Sequence, residues 1–218
     1  MANYTKTTLK IYGERCSGTN YLHKLMETNL HNPIYSYRVS NNEIIHWKHG
    51  VPSEIEEVGL YVFIFRDLIP WIKSFFAYQY HIQRINDFNK FLTSPFKLGK
   101  AQKDFFTKQP INIYDKGKTI FDIRYYKMYH YLNFSLTHPS ILINLKWLQL
   151  NPKVFLYLLN EFPFVKLKDN LITQFNHTKS NSSKMNEEHN VDLSIDMIEN
   201  QIDQKYEKFI SELDYLIL

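Results

Sequence analysis

The 218 residues, of which 44% are hydrophobic and 22% charged, suffice for one domain with a full core and have the composition of a soluble globular protein. A net charge of +4 suits an anionic ligand such as a nucleotide, but it is too small to indicate a nucleic-acid-binding protein. The single cysteine, Cys16, excludes an internal disulfide and a metal site built from several cysteines.

The sequence predicts neither a signal peptide nor a membrane span. The first residues contain no apolar stretch of the length that a signal peptide needs. No run of about 18 apolar residues occurs anywhere in the chain. We therefore expect a cytoplasmic protein that forms a single domain over residues 1–218, with an oligomeric state that the sequence leaves open.

Strands and helices are predicted in alternation along the chain. Short apolar runs bounded by turn residues predict strands over 7–12, 43–47, 60–65 and 140–145. Apolar residues at helical spacing predict helices from residue 19 to the turn at 32–33 and over 69–82, 120–136, 151–159 and 202–213. Loops, with short helices in the first of them, are predicted over 84–118 and 176–190. This alternation indicates an α/β fold with a mainly parallel sheet flanked by helices.

The first motif joins the first predicted strand to the first helix, where residues 13–20 read Gly-Glu-Arg-Cys-Ser-Gly-Thr-Asn. The free N–H groups of a helix start and the helix dipole attract an anion to such a turn. Gly18 lets the backbone approach a phosphate closely. Ser17 and Thr19 add hydroxyl donors, and Arg15 adds a forked positive group. The motif therefore predicts a phosphate-binding loop, with a plain turn into a helix as the alternative.

The loop has the glycine spacing of a Walker A motif but lacks its lysine. Gly13 and Gly18 stand where that motif has its glycines, and Thr19 then occupies the position of the lysine. ATPases and kinases of that type need the lysine on the β- and γ-phosphates. The departure argues against triphosphate chemistry.

The second motif follows the most apolar strand. Arg66 comes directly after the run at 60–65, at the edge where open α/β sheets place their ligands. Ser74 lies eight residues later, two turns into the next predicted helix. Both side chains could reach one phosphate, the first as a charge and the second as a hydroxyl donor. The alternative is that Arg66 pairs with Asp67 or another carboxylate, while Ser74 lies on an exposed helical face.

The third motif reads His-Trp-Lys-His-Gly-Val-Pro over residues 46–52. A histidine can accept a proton near neutral pH, and a lysine can stabilise negative charge on a leaving oxygen. His46, Lys48 and His49 are therefore candidate catalytic residues, and the alternative is that the histidines are solvent-exposed or hydrogen-bonded in the core. No further His, Asp or Glu stands at a spacing that would complete a metal site with the two histidines, so no metal is expected.

Together the three motifs resemble those of the sulfotransferases that use 3'-phosphoadenosine-5'-phosphosulfate (PAPS), in their bacterial and carbohydrate-type branches. In that family a basic residue followed by Ser-Gly-Thr binds the 5'-phosphosulfate. The matching residues of this chain are Arg15, Cys16, Ser17, Gly18, Thr19 and Asn20. An Arg at a strand end and a Ser eight residues later bind the 3'-phosphate in the family, which implies that role for Arg66 and Ser74.

The resemblance also implies the catalytic residues. The family often carries Lys, any residue, His, an apolar residue and Pro in the third motif, and the His is the general base. This implies His49 as the base, with His46 as second choice, and Lys48 or Arg15 at the bridging oxygen. The third motif is contracted by one residue here, and Leu68 stands where many members have Pro after the Arg.

The implied protein has a P-loop NTPase-like three-layer core. It transfers a sulfuryl group from PAPS to the hydroxyl of a glycan or other small molecule, leaving 3'-phosphoadenosine-5'-phosphate (PAP), with no metal and no nucleic-acid partner. Two alternatives stay open. One is a nucleotide or small-molecule kinase with a degenerate loop, in which Asp67 would face a metal. The other is a sulfotransferase-like protein that binds nucleotide without turnover.

Two weaker signals lie further along the chain. Arg124 and Lys127 are three residues apart on one helical face, which fits either a group facing the cofactor or acceptor or a solvated basic face. Family members often close over the 3'-phosphate with a basic, glycine-containing loop near the C-terminus. The candidate for that loop is the glycine-free segment 176–184.

Overall fold

The computed structural model describes residues 8–40, 43–52, 59–79, 82–97, 118–175, 198–199 and 201–217. Its strands are β1 (Leu9–Gly13), β2 (Ile34–Tyr35), β3 (Tyr37–Ser40), β4 (Glu43–Trp47), β5 (Leu60–Phe65), β6 (Ser140–Asn144) and β7 (Tyr215–Ile217). Five of them form the central sheet in the order β2-β1-β5-β6-β7. The first four strands of that order are mutually parallel, and β7 pairs antiparallel with β6.

The three central strands are rich in apolar residues because both faces of the sheet are covered. Every residue of β1, β5 and β6 is buried. Side chains alternate between the faces, so that Ile11 and Val62 belong to one core and Tyr12 and Phe63 to the other. The continuous apolar run at 60–65 predicts this two-sided burial.

Helices cover the sheet on both sides. Their bounds are α1 (Thr19–Asn29), α2 (Leu68–Ala77), α3 (Phe88–Thr93), α4 (Ile120–Ser135), α5 (Leu145–Leu150), α6 (Pro152–Asn160) and α7 (Gln204–Glu212). Residues of α1, α5 and α6 pack on one face of the sheet, and residues of α4 and α7 pack on the other. The predicted α/β class with a mainly parallel, helix-flanked sheet is confirmed.

Side-chain caps fix where the helices near the carboxyl ends of the strands begin. Thr119 and Asp122 form a reciprocal capping box at the start of α4. The Asn144 side chain accepts hydrogen bonds from the first turn of α5, and Asp203 does the same for α7. A third apolar cluster joins α2 and α3 to the start of α4. These elements surround the strand ends where the predicted site residues lie.

Several predicted elements differ from the structure. The strand predicted over 43–47 exists as β4, but it pairs with β3 in a separate two-stranded antiparallel sheet. The two-residue strand β2 takes the edge beside β1 instead. The helix predicted over 69–82 ends at Ala77, because the chain turns where Gln79 bonds to the carbonyls of Phe76 and Ile85. Strands β2, β3 and β7 and helix α5 were not predicted.

No helix in the described ranges is both long enough and apolar enough to cross a membrane.

Candidate functional site

The loop between β1 and α1 is a tight turn closed on itself. Both the backbone N–H and the hydroxyl of Ser17 donate to the carbonyl oxygen of Glu14, at 3.2 and 2.7 Å. Cys16 and Gly18 adopt positive φ angles of 63° and 98°. The Ser17 hydroxyl, predicted to donate to a ligand, is fully buried and donates within the loop in this conformation.

Both glycines of the motif are required by close packing. A Cβ atom on Gly13 would lie 2.6 Å from the Ser17 hydroxyl and 2.7 Å from the carbonyl oxygen of Ile64. A Cβ atom on Gly18 would lie 2.5 Å from a methyl group of Leu145, at the start of α5. The glycine spacing therefore reflects the approach of the loop to β5 and α5.

We expect the substitution Gly18→Ala to destabilise the protein. The left-handed backbone alone costs an alanine about 1–3 kcal/mol, and the contact with Leu145 adds to it. Urea unfolding measures the loss. The same substitution in a Leu145→Ala background should cost less, because the clash is removed. If Gly18→Ala costs the same with Leu145 and with Leu145→Ala, the contact between residues 18 and 145 does not contribute to the loss.

The N-terminus of α1 points into the loop with no side chain capping it among the described residues. Gly18 is the N-cap residue, and its carbonyl oxygen accepts a hydrogen bond from the Leu22 N–H at 3.0 Å. The N–H groups of residues 19–21 come before that first helical bond. The Lys48 ammonium donates to the side-chain oxygen of Asn20, which brings a positive charge to this helix start. The arrangement favours an anion.

The second motif meets the first in the folded chain. Arg66 donates from its guanidinium to the Cys16 carbonyl at 3.1 Å. Burial raises the pKa of the Cys16 thiol, and the nearby Ser74 hydroxyl opposes that shift. Trp71, between them on α2, donates to the Arg15 carbonyl at 2.8 Å. Arg66 and Trp71 therefore hold the backbone of the loop between β1 and α1 from one side, and Ser74 lies beside the Cys16 side chain.

Two of the expected partners of Arg66 lie near it: the loop, to which it is bonded, and Asp67, whose charge acts on it. Asp67 accepts a hydrogen bond from the Asn144 side chain at 2.8 Å. Arg66 is directed to the loop, and Ser74 is half-buried against it rather than on an exposed helical face. Burial lowers the pKa of Arg66, and the nearby Cys16 and Asp67 oppose that shift.

The third motif lies behind the loop. Gly13 N–H donates to the Lys48 carbonyl at 2.8 Å, which ties this segment to the end of β1. His49 Nδ1 lies 2.9 Å from the Gly13 carbonyl oxygen, and 6% of the residue is exposed. Burial, followed by the charge of Arg15, lowers the pKa of His49 well below its usual range. The imidazole is therefore neutral at pH 7.

A carbonyl oxygen can only accept, so the contact with Gly13 assigns the His49 proton to Nδ1. The lone pair of the neutral ring then belongs to Nε2. His46 lies in β4, and its side chain is outside what the structure describes. The candidate closing loop at 176–184 also lies outside the described residues.

Three buried charged side chains and the half-buried Glu207 form a cluster beneath the loop. Arg124 is fully buried and donates to the carboxylate of Glu14, the first residue of the loop. It also donates to both carboxylate oxygens of Glu207 on α7, at 2.8 and 3.1 Å. Lys127 is 3% exposed, and its charge acts on both Glu14 and His49. The basic pair of α4 is therefore not a solvated face.

The buried ammonium of Lys127 loses its proton at a lower pH than an exposed lysine does. Burial lowers the pKa of Lys127 to about 8, with Glu14 opposing the shift and Arg15 adding to it. Burial also lowers the pKa of Lys48, and Arg15 adds to that effect. Basic groups are thus concentrated around the loop at a desolvation cost that an anionic ligand would offset.

A surface cleft of about 410 Å³ adjoins the cluster on the side of α7. Glu207, which binds Arg124, forms part of its wall. The first turn of α2 forms another part. Its lining residues are Asp67, Leu68, Ile69, Pro70, Ile202, Gln204, Glu207, Lys208 and Ser211.

The structure brings the described candidates from all three motifs to one end of the sheet. Sequence reasoning missed Glu14, Trp71 and Glu207, and it left the orientation of Arg124 and Lys127 open. A capped helix with a basic pair on one face was the signal available for the last two. No family model, curated protein or solved structure matches the chain.

Proposed function

We propose that this protein is a PAPS-dependent sulfotransferase. The observation that carries the proposal is the meeting of the first two motifs at Cys16. Arg66 donates to the Cys16 carbonyl, and Ser74 lies beside the Cys16 thiol. Both residues therefore lie next to a loop of the type that binds phosphate. The two motifs are 50 residues apart in sequence. Their proximity suits a nucleotide with phosphates on both the 5' and the 3' positions.

The loop and the start of α1 fit the 5'-phosphosulfate in a P-loop-like core. The first turn of α1, which follows the left-handed Gly18, offers N–H groups to an anion. Arg15, Cys16, Ser17, Thr19 and Asn20 complete this part of the proposed site. Arg66 and Ser74 would hold the 3'-phosphate as charge and hydroxyl donor.

His49 is the proposed general base. PAPS supplies an activated sulfuryl group when it is bound. His49 Nε2 would accept the proton of the acceptor hydroxyl while the Gly13 carbonyl holds the ring through Nδ1. Lys48 or Arg15 would stabilise the negative charge that develops on the bridging oxygen. The proposed acceptor is a glycan or another small molecule with a free hydroxyl.

A nucleotide-binding protein without turnover is the second candidate, and the burial of His49 favours it. A ring that is 6% exposed and has a strongly lowered pKa is a weak proton acceptor. The substitution His49→Asn separates the two functions, because an asparagine can keep the bond to the Gly13 carbonyl. PAP release from PAPS is measured with a panel of neutral glycans and phenols. Turnover by the wild-type protein that falls about 100-fold or more in the variant supports the enzyme. Nucleotide binding without any turnover supports the binder.

We expect nucleotide binding to be coupled to proton uptake near pH 8. Because the pKa of Lys127 is about 8, roughly half of the free protein carries a neutral amine there. A phosphate beside Arg15 favours the ammonium form, so binding raises this pKa and takes up a fraction of a proton. Titration calorimetry with PAP in two buffers of different ionisation enthalpy measures the uptake. A Lys127→Met variant should lose it, and equal enthalpies for the wild-type protein in both buffers would contradict the coupling.

A further inference from the structure

Arg124 connects the two halves of the proposed nucleotide site from behind. Its guanidinium binds the Glu14 carboxylate and, at 2.9 Å, the carbonyl oxygen of Arg66. Glu14 precedes Arg15 in the loop, and Arg66 carries the proposed 3'-phosphate contact. One rigid side chain is therefore bonded next to both arginines that would hold phosphates.

The same side chain is held by two further elements. The Arg124 guanidinium lies 4.6 Å from the ring centre of Trp71, which in turn donates to the Arg15 carbonyl. Glu207 of α7 accepts two hydrogen bonds from it in a fork geometry. Arg124 is 0% exposed, so it cannot touch a nucleotide itself. It acts only through the residues that it binds.

The charge balance makes Glu207 important for this arrangement. Without Glu207, the planar Arg124 guanidinium would keep only Glu14 as a carboxylate partner. It would lose the pair of hydrogen bonds that fixes its orientation. Ile210, on the same helix, is fully buried in the core on that face of the sheet and anchors α7 there. The spacing of the loop and Arg66 then depends on a contact from the C-terminal helix.

We propose that Arg124 is a positioning residue that sets the spacing of the two phosphate-binding elements, and that Glu207 holds it in place. This inference rests on the proposed function. It makes a specific demand: recognition of the 3'-phosphate depends on α7, whereas binding of a nucleotide through its 5'-phosphate alone does not.

The test compares Glu207→Gln with Glu212→Gln, a matched change in the exposed ion pair with Lys208 on the same helix. Glu207 is 13% exposed and lies at the rim of the cluster. Glutamine keeps the shape of this side chain and removes its charge. Affinities for PAP and AMP are measured by calorimetry. We expect the PAP-to-AMP affinity ratio to fall about fivefold or more in Glu207→Gln and to stay unchanged in the control.

The other outcomes separate a failure of the positioning role from a failure of the proposed function. An unchanged ratio in Glu207→Gln, or an equal loss of affinity for both nucleotides, overturns the positioning role and leaves the proposed function standing. A wild-type protein without preference for PAP over AMP overturns the proposed function, and the inference falls with it. Linkage adds a second measurement, because PAP but not AMP should slow amide hydrogen exchange in α7 of the wild-type protein. Equal protection by both nucleotides would overturn the inference.

Discussion

Replacing Arg66 with glutamine is expected to lower the affinity for PAP at least about 30-fold, equivalent to about 2 kcal/mol. The guanidinium stands beside Cys16 and Ser74, where the 3'-phosphate is proposed to bind. AMP lacks that phosphate, so its binding should change little. Titration calorimetry with both nucleotides measures the difference.

The control for this change is Arg84→Gln, which removes an exposed arginine bonded to Asn86. It should leave both affinities unaltered. Retained AMP binding in Arg66→Gln also shows that the loop is intact without the bond to the Cys16 carbonyl. If both nucleotides lose affinity equally, Arg66 shapes the loop and is not a contact to the 3'-phosphate.

Replacing Arg124 with methionine should reduce the free energy of unfolding by about 3–5 kcal/mol, the cost of breaking a buried ion pair. The change leaves Glu14, which is 2% exposed, without its guanidinium partner. Glu207 loses two hydrogen bonds, and Trp71 loses the stacked cation. Urea unfolding at pH 7 measures the effect.

Two further variants separate charge from packing. Lys205→Met removes an exposed cation near the Tyr206 ring on α7 and should cost less than about 0.5 kcal/mol. Adding Glu14→Gln and Glu207→Gln to Arg124→Met should restore part of the stability, because neutral partners need no buried counter-charge. A triple variant as unstable as the single one would show that packing, not charge, causes the loss.

The central strands and the loop could be predicted because their signals are local. A run such as 60–65 is apolar throughout only when both faces of the strand are covered, and β5 has these bounds. The glycines at 13 and 18 mark a turn into a helix, and the structure places β1 and α1 on either side of it. Both features depend on residues within a few positions of each other.

Elements at the sheet edges could not be predicted in the same way. Strand β2 has two residues and pairs with β1 across a helix, which no pattern within Ile34–Tyr35 reveals. The strand at 43–47 has the expected bounds but belongs to a hairpin with β3. Pairing partners are set by tertiary contacts, so a correct strand can be assigned to the wrong sheet.

The candidate site was predictable where its residues belong to a local motif and hidden where contacts between distant segments define it. Arg66 and Ser74 follow β5, and the general rule for open α/β sheets places that end at the ligand. Glu207 is separated from Arg124 by 83 positions, so only the fold brings the two together. The spacing of Arg124 and Lys127 showed a shared face but not whether solvent or the loop lies opposite.

The most direct test of the proposed nucleotide site is a calorimetric titration of the wild-type protein with PAP, beside AMP and ATP with Mg²⁺. We predict clear binding of PAP and much weaker binding of AMP. Arg66 and Ser74 lie beside the loop, and only PAP has the 3'-phosphate that they are proposed to bind. A preference for ATP with Mg²⁺ would contradict the sulfotransferase proposal and favour a kinase. Binding of none of the three would mean that residues 13–19 form only a turn into a helix.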